Sequence, residues 1–280
     1  MNSFKKIVLA LVVLIMLQIN INQIFAQEIG IQLYSLRNQF KADVDGSLKT
    51  ISDWGLTKLE GGGTYGLSFQ EFDGMLDKYG LDVVSVGASY DDLKDNPEKA
   101  LANAKQFGAK YVMCAWISHD GNNFDIAKTK EAVDVFNKAG KLLKDAGITL
   151  AYHAHGYEFR PYEDGTLFDY MAQNAENFAF EMDVYWVQHG GEDPLALLNR
   201  YPDKFVLLHL KDMAKGTPKD NTGHADVETN VVLGMGEVDI AGVVNRAKEL
   251  GVVEYMFIED ECSRVVEQVP QSLKFLEGLE

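Results

Sequence analysis

The chain has 280 residues, 46% of them hydrophobic, enough for one large α/β domain with a sizeable core. Its formal charge of −16 argues against a nucleic-acid surface or an anionic membrane surface as partner. Cys114 and Cys262 are the only cysteines, too few for a disulfide framework, and both are expected as thiols.

Residues 1–26 read as a secretory signal peptide. Lys5 and Lys6 precede an apolar run from Ile7 to Leu17, and a polar stretch then ends in Ala26. A run of that length falls short of the about 20 residues a bilayer span requires. The expected mature chain is 27–280, exported to the periplasm and free of the membrane after cleavage.

From there one pattern recurs. A helical stretch ends in glycine and a short apolar run follows at once, as at Gly55, Gly80, Gly108, Gly147 and Gly251. Glycine just past a helix end takes the left-handed conformation at little cost. Continuous apolar runs suit strands of a parallel sheet buried on both faces. The predicted strands are 28–34, 57–61, 82–87, 110–115, 148–153, 178–183, 205–210 and 254–259. Helix-like windows lie between them, for example 96–107 and 128–146. Eight alternating units in one chain of this length predict a single-domain (β/α)8 TIM barrel. An open doubly wound sheet is the rival, but the first strand is followed by no glycine-rich phosphate loop. The segment 212–236 is the longest irregular stretch and is expected to fold over the barrel mouth.

In such barrels the working residues sit at the C-terminal strand ends. Strand five ends in His153, His155 and Glu158. Strand six ends in Asp183, strand seven in His209, Lys211 and Asp212, and strand eight in Glu259, Asp260 and Glu261. Buried ionisable groups need partners or a metal. Each residue alone has a plain structural explanation: Asp183 could cap the next helix, and Glu259 could pair with Lys211. Four strands with such groups at one level argue for a divalent metal held by nitrogen and oxygen donors. Manganese ranks first, with cobalt, zinc, magnesium and iron as the other candidates. Asp260 should face away by strand alternation. His119, His189 and His224 fall in predicted loops and read as surface groups.

The segments "IGIQLYSLR", "YHAHGYEF", "EMDVYW", "LLHLKD" and "FIEDE", in this order, resemble the sugar phosphate isomerase/epimerase family with its xylose-isomerase-like barrel. The likeness spans nearly the whole chain after residue 26. It implies metal ligands from strands five to eight, which carries Asp183, His209 and Glu259 across. Strand five departs from the usual pattern, because His153 stands where many relatives have Glu. Glu158 could restore the acid. One of the two should complete the metal set and the other face substrate. The expected set takes Glu158 as ligand, with His153 facing substrate. In some lyase-like relatives a His at the place of His155 acts as base, and that role is expected for His155.

The resemblance implies proton abstraction beside a sugar carbonyl. Glu259 and Lys211 are further candidates for catalysis. Gln32, Tyr34, Glu60 and Trp116 are expected to line the sugar pocket. Export favours a non-phosphorylated sugar or keto-sugar, handled by an isomerase or epimerase. A 3-keto-glycoside lyase or a dehydratase on the same scaffold is the alternative. A non-catalytic sugar-binding barrel is the rival from another class. Self-association is left open.

Overall fold

The computed structural model describes residues 28–279. The expected signal peptide lies outside the described residues. Eight parallel strands close into a barrel: β1 Glu28–Gln32, β2 Lys58–Gly61, β3 Asp82–Gly87, β4 Tyr111–Cys114, β5 Thr149–His153, β6 Ala179–Asp183, β7 Phe205–Leu210 and β8 Tyr255–Ile258. Each pairs with its neighbours in chain order, and β1 closes the ring against β8. The predicted strands agree to within two residues at each end. The predicted helices are also present, as Pro97–Phe107 and Ile126–Lys144.

The glycine pattern does what its chemistry allows. Gly55, Gly80, Gly108, Gly147 and Gly251 all take positive φ, between 65° and 78°. Each turns the chain from a helix end into the next strand.

Side chains alternate across every strand. Outward residues such as Val112, Leu150, Phe180 and Leu208 are buried beneath the helices. Inward residues form a smaller interior cluster of Val84, Tyr111, Ala151, Leu207, Tyr255 and Phe257. This plug fills the lower barrel, so polar inward residues are confined to the upper layers. Gly30 shows how tight the plug is. A Cβ there would stand 2.5 Å from the Lys58 carbonyl oxygen and 2.7 Å from the Phe257 ring.

Segment 212–236 crosses the mouth, as expected. Asp212–Met213 pairs antiparallel with Asn230–Val231. The buried Asp212 carboxylate accepts hydrogen bonds from the backbone N–H groups of Met213, Gly234, Gly236 and Val238. Arg160 ties this segment to the loop after β4 by donating to the carbonyls of Phe124 and Asn221. Among the described residues, no helix is long and apolar enough to cross a membrane.

Candidate metal centre

Four buried side chains converge at the upper ends of β5 to β8: His153, Asp183, His209 and Glu259. Each offers a donor atom, and these atoms all lie within 4.8 Å of one another. His153 Nε2 stands 3.6 Å from Asp183 Oδ2, and His209 Nδ1 stands 3.9 Å from the same oxygen and 3.2 Å from Glu259 Oε2. Ligands bound at about 2.1 Å to one cation sit about 3.0 Å apart at right angles and about 3.4 Å apart in a tetrahedron. The observed separations of 3.2 to 3.9 Å start between those edges and run about 0.5 Å beyond the longer one.

Both ring nitrogens of His153 and Oδ2 of Asp183 are buried without a hydrogen-bond partner. Native interiors rarely leave such atoms unpaired. Asp183 explains how one residue can serve two ends. Its Oδ1 caps the helix Val184–His189 by accepting from Tyr185 N at 2.8 Å and Trp186 N at 3.1 Å. Its Oδ2 is left for the centre. The residues therefore fit a divalent cation.

Electrostatics agree. Burial raises Asp183 to about 7, with Lys211 working against that rise and Glu259 adding to it. Burial also opposes the charge on His209, yet Glu181, Glu259 and Glu60 together hold its pKa well above the ordinary value. His153 is pushed well below its usual value by burial, and then by His209 and His155. For Glu259 burial acts upward, but Lys211 and His209 outweigh it and keep the carboxyl well below its usual range. Crowded carboxylates with shifts of this kind are what a bound cation would relieve.

The structure places Glu158 outside this set. Its fully buried carboxylate accepts from the Tyr152 hydroxyl and from the His155 backbone N–H. Tyr152 points out of the barrel, against Phe136, and Glu158 follows it there. The expected ligand is thus on the wrong side of β5, and His153 faces inward in its place.

Above the centre opens a cavity of about 540 Å³ lined by Gln32, Tyr34, Trp116, His155, Trp186 and His224 among others. His153, His209 and Glu259 form part of its floor, and among the described residues no lysine or arginine lines it. His155 stacks on His153 with ring centres 4.6 Å apart and lies between Trp116 and Trp186 at 5.6 and 5.2 Å. Burial lowers its pKa to about 4, helped by Lys211, so the ring is neutral at pH 7.

Several expected positions change. Glu60 does not line the cavity. It lies fully buried beneath it, accepting from Gln32 Nε2 at 2.7 Å and from Ser85 Oγ at 2.5 Å. Lys211 is buried between Glu259 and Glu261, with its ammonium 5.4 Å from the Trp186 ring centre. His224 is exposed, as expected, while His119 is half-buried, and both pack on Trp116 at 5.4 and 4.9 Å. His189 is buried, with Nδ1 3.1 Å from the Asp220 carbonyl oxygen. Cys114 and Cys262 are buried free thiols, as expected. Glu181 and Trp186 were not anticipated, and Glu261, named at the end of strand eight, was given no role. Glu181 had a signal: an acid two residues before Asp183 in an apolar strand must face the same way.

The profile of the xylose isomerase-like TIM barrel family matches residues 48–279. The chain belongs to that family. A solved sugar phosphate isomerase/epimerase from Parabacteroides distasonis ATCC 8503 superposes with a TM-score of 0.74 at 24% identity, over 90% of this chain and 93% of its own. The IOLI protein with a binding zinc atom gives a TM-score of 0.71 at 12% identity, over 90% of this chain and 98% of its own. At such identities the likeness is one of fold. In sequence, an inosose dehydratase from Clostridium beijerinckii (strain ATCC 51743 / NCIMB 8052) is 29% identical over 92 residues, 32% of this chain and 30% of that protein. The chain thus matches less than a third of that relative's length.

Proposed function

We propose that this family member is a metal-dependent enzyme that moves a proton next to the carbonyl of a non-phosphorylated sugar or keto-sugar, as an isomerase or epimerase. The observation that carries the reading is the set of four buried donors on the cavity side of β5 to β8, with His153 and Asp183 Oδ2 unpartnered. A divalent cation held by His153, Asp183, His209 and Glu259 would supply Lewis-acid polarisation of the sugar carbonyl and its neighbouring oxygen.

The chain supplies the rest. His155 is neutral and lines the cavity, which suits a base. Glu259 is held ionised by Lys211 and His209, which suits a ligand to a cation, and its place in the cavity lining keeps it within reach of a substrate proton. Lys211, fixed by Glu259 and Glu261, steadies that charge without entering the cavity. Trp116 and Trp186 offer ring faces for the apolar side of a sugar. A phosphate group would meet Glu259 and Glu261 in the cavity lining, where among the described residues no lysine or arginine stands, which supports a neutral substrate.

Elimination of a β-substituent, by a lyase or dehydratase, is the second reading. His153 in place of an acid leaves Glu259 as the one carboxylate of the donor set on the cavity wall. Exchange at a single carbon from both faces is served best by two such groups, whereas elimination needs one base and one acid. The partial match to a dehydratase points the same way.

The test is solvent exchange. Protein loaded with Mn²⁺ is incubated with keto-sugars in D₂O. Deuterium in recovered substrate supports isomerisation or epimerisation, and an unsaturated product supports elimination. Metal uptake with sugar binding but neither outcome across the panel refutes catalysis and leaves a binding barrel.

A further inference from the structure

Behind each imidazole of the centre stands a buried carboxylate that the chemistry above does not use. His153 turns Nε2 toward Asp183 and Nδ1 toward Glu181 Oε2, at 3.4 Å. His209 is turned the other way. Its Nδ1 faces Asp183 and Glu259, while its Nε2 lies 2.5 Å from Glu60 Oε1 and 3.2 Å from Glu181 Oε2. Glu60 and Glu181 are both fully buried or nearly so.

Glu60, Glu181 and His209 could themselves be taken for a second cation site, since their donor atoms also lie within 4.8 Å. The Glu60–His209 separation of 2.5 Å decides against it. Two ligands on one cation sit no closer than about 3.0 Å at right angles with bonds of about 2.1 Å. That contact is a hydrogen bond.

We propose that Glu181 and Glu60 are positioning residues that hold His153 and His209 in opposite tautomers, Nδ1–H on His153 and Nε2–H on His209. This leaves Nε2 of the first ring and Nδ1 of the second as lone pairs aimed at one divalent cation. The inference rests on the metal-dependent reading above. A neutral imidazole has one lone pair, so the nitrogen that binds metal forces the proton onto the other. In a buried site that N–H needs an acceptor, and a carboxylate both supplies it and makes the ring a stronger donor. Glu60 is anchored for the task by Gln32 and Ser85. Glu181 makes no hydrogen bond with either oxygen, so the imidazole nitrogens at 3.2 and 3.4 Å are its near polar neighbours. Glu181 is thus the counterpart that a histidine at position 153 calls for.

The experiment uses Zn²⁺ and protein with ¹⁵N-labelled histidine. Long-range proton–nitrogen spectra of the Zn-loaded wild type should show Nδ1–H on His153 and Nε2–H on His209. In Glu181→Leu, Zn²⁺ affinity should fall about 10–100-fold, the His153 signals should change and the His209 tautomer should persist. Glu181→Gln keeps a carbonyl acceptor and should recover most of the affinity. Zn²⁺ bound by a wild type with Nε2–H on His153, or bound within two-fold of wild type by Glu181→Leu, overturns the proposal alone. A wild type that takes up no Zn²⁺ overturns the metal-dependent reading and this proposal with it. If Glu181→Leu does not fold, the wild-type spectra decide.

Discussion

Removing the cation should lower the melting temperature, and Asp183 shows by how much. Asp183 Oδ2 and both nitrogens of His153 are buried without a hydrogen-bond partner among the described residues. Asp183 is also raised to about 7, chiefly by burial. A cation that binds the native state alone stabilises it by about 2.7 kcal/mol at a free concentration of about 100 Kd. For a chain of this size that is about 5–10 °C in melting temperature. The assay is calorimetry of chelator-treated protein at pH 7.5, with and without Mn²⁺. Asp183→Ala should lose the shift and also the helix cap to Tyr185 and Trp186, at a further cost of about 1 kcal/mol. Asp183→Asn keeps a carbonyl for the cap, so its metal-free midpoint should exceed that of Asp183→Ala, with the Mn²⁺ shift still lost. A wild-type midpoint indifferent to Mn²⁺, or an equal rise in Asp183→Asn, refutes the centre.

Outcomes for three further variants follow from the same geometry. His155→Ala should keep Mn²⁺ affinity and lose solvent exchange by about 10²-fold or more; full exchange in this variant moves the base role to Glu259. Glu158→Gln should leave Mn²⁺ affinity within two-fold in a direct titration, because Glu158 sits behind β5 with Tyr152. The same variant should change the pH dependence of stability. Burial raises Glu158 from 4.5 to about 7, partly offset by the Tyr152 hydroxyl, so the folded state holds its proton longer than the unfolded one. That contribution is fully present below pH 4.5 and is lost as pH rises through 7, by at most about 3 kcal/mol; urea melts from pH 5 to 8 should be flatter for Gln by that amount. Gly223→Ala should raise KM with little change in metal affinity. Gly223 has φ of 77°, and a Cβ would stand 2.9 Å from the Tyr157 ring and 3.1 Å from that of Trp116, so the mouth segment must shift; an unchanged KM would show that this wall does not touch substrate.

Much of the barrel is legible in the sequence because two local signals repeat together. Glycine after a helix and a doubly buried apolar run each have a cheap physical cause; the two coincide at five places, and eight apolar runs in all leave few other ways to close the chain. The upper layer was legible at strands six to eight for a similar reason. There the ionisable residue directly ends an apolar run, so alternation decides which way it points. Strand five broke the rule because its acid arrives after the strand has ended. Beyond His153 the chain turns at Gly156, with φ of 99°, into the short helical turn Tyr157–Phe159. Alternation no longer applies there, and counting along the sequence cannot place Glu158.

The second failure has a different origin. Glu60 and Glu181 look alike in sequence to residues that line a pocket, since they too face inward near strand tops. What separates them is depth, which depends on the tilt and register of neighbouring strands. Glu60 pairs across from Gln32 on one side and Ser85 on the other. Glu181 pairs with His153 and Leu207. Glu181 therefore sits level with His153 and two residues below Asp183, which itself pairs with His209. Register is a property of strand pairs and not of any one segment. A histidine and its supporting carboxylate thus come together from positions 28 residues apart for His153 and Glu181, and 149 apart for His209 and Glu60. The sequence shows that buried charge is present, and only the closed barrel shows which carboxylate stands behind which ring.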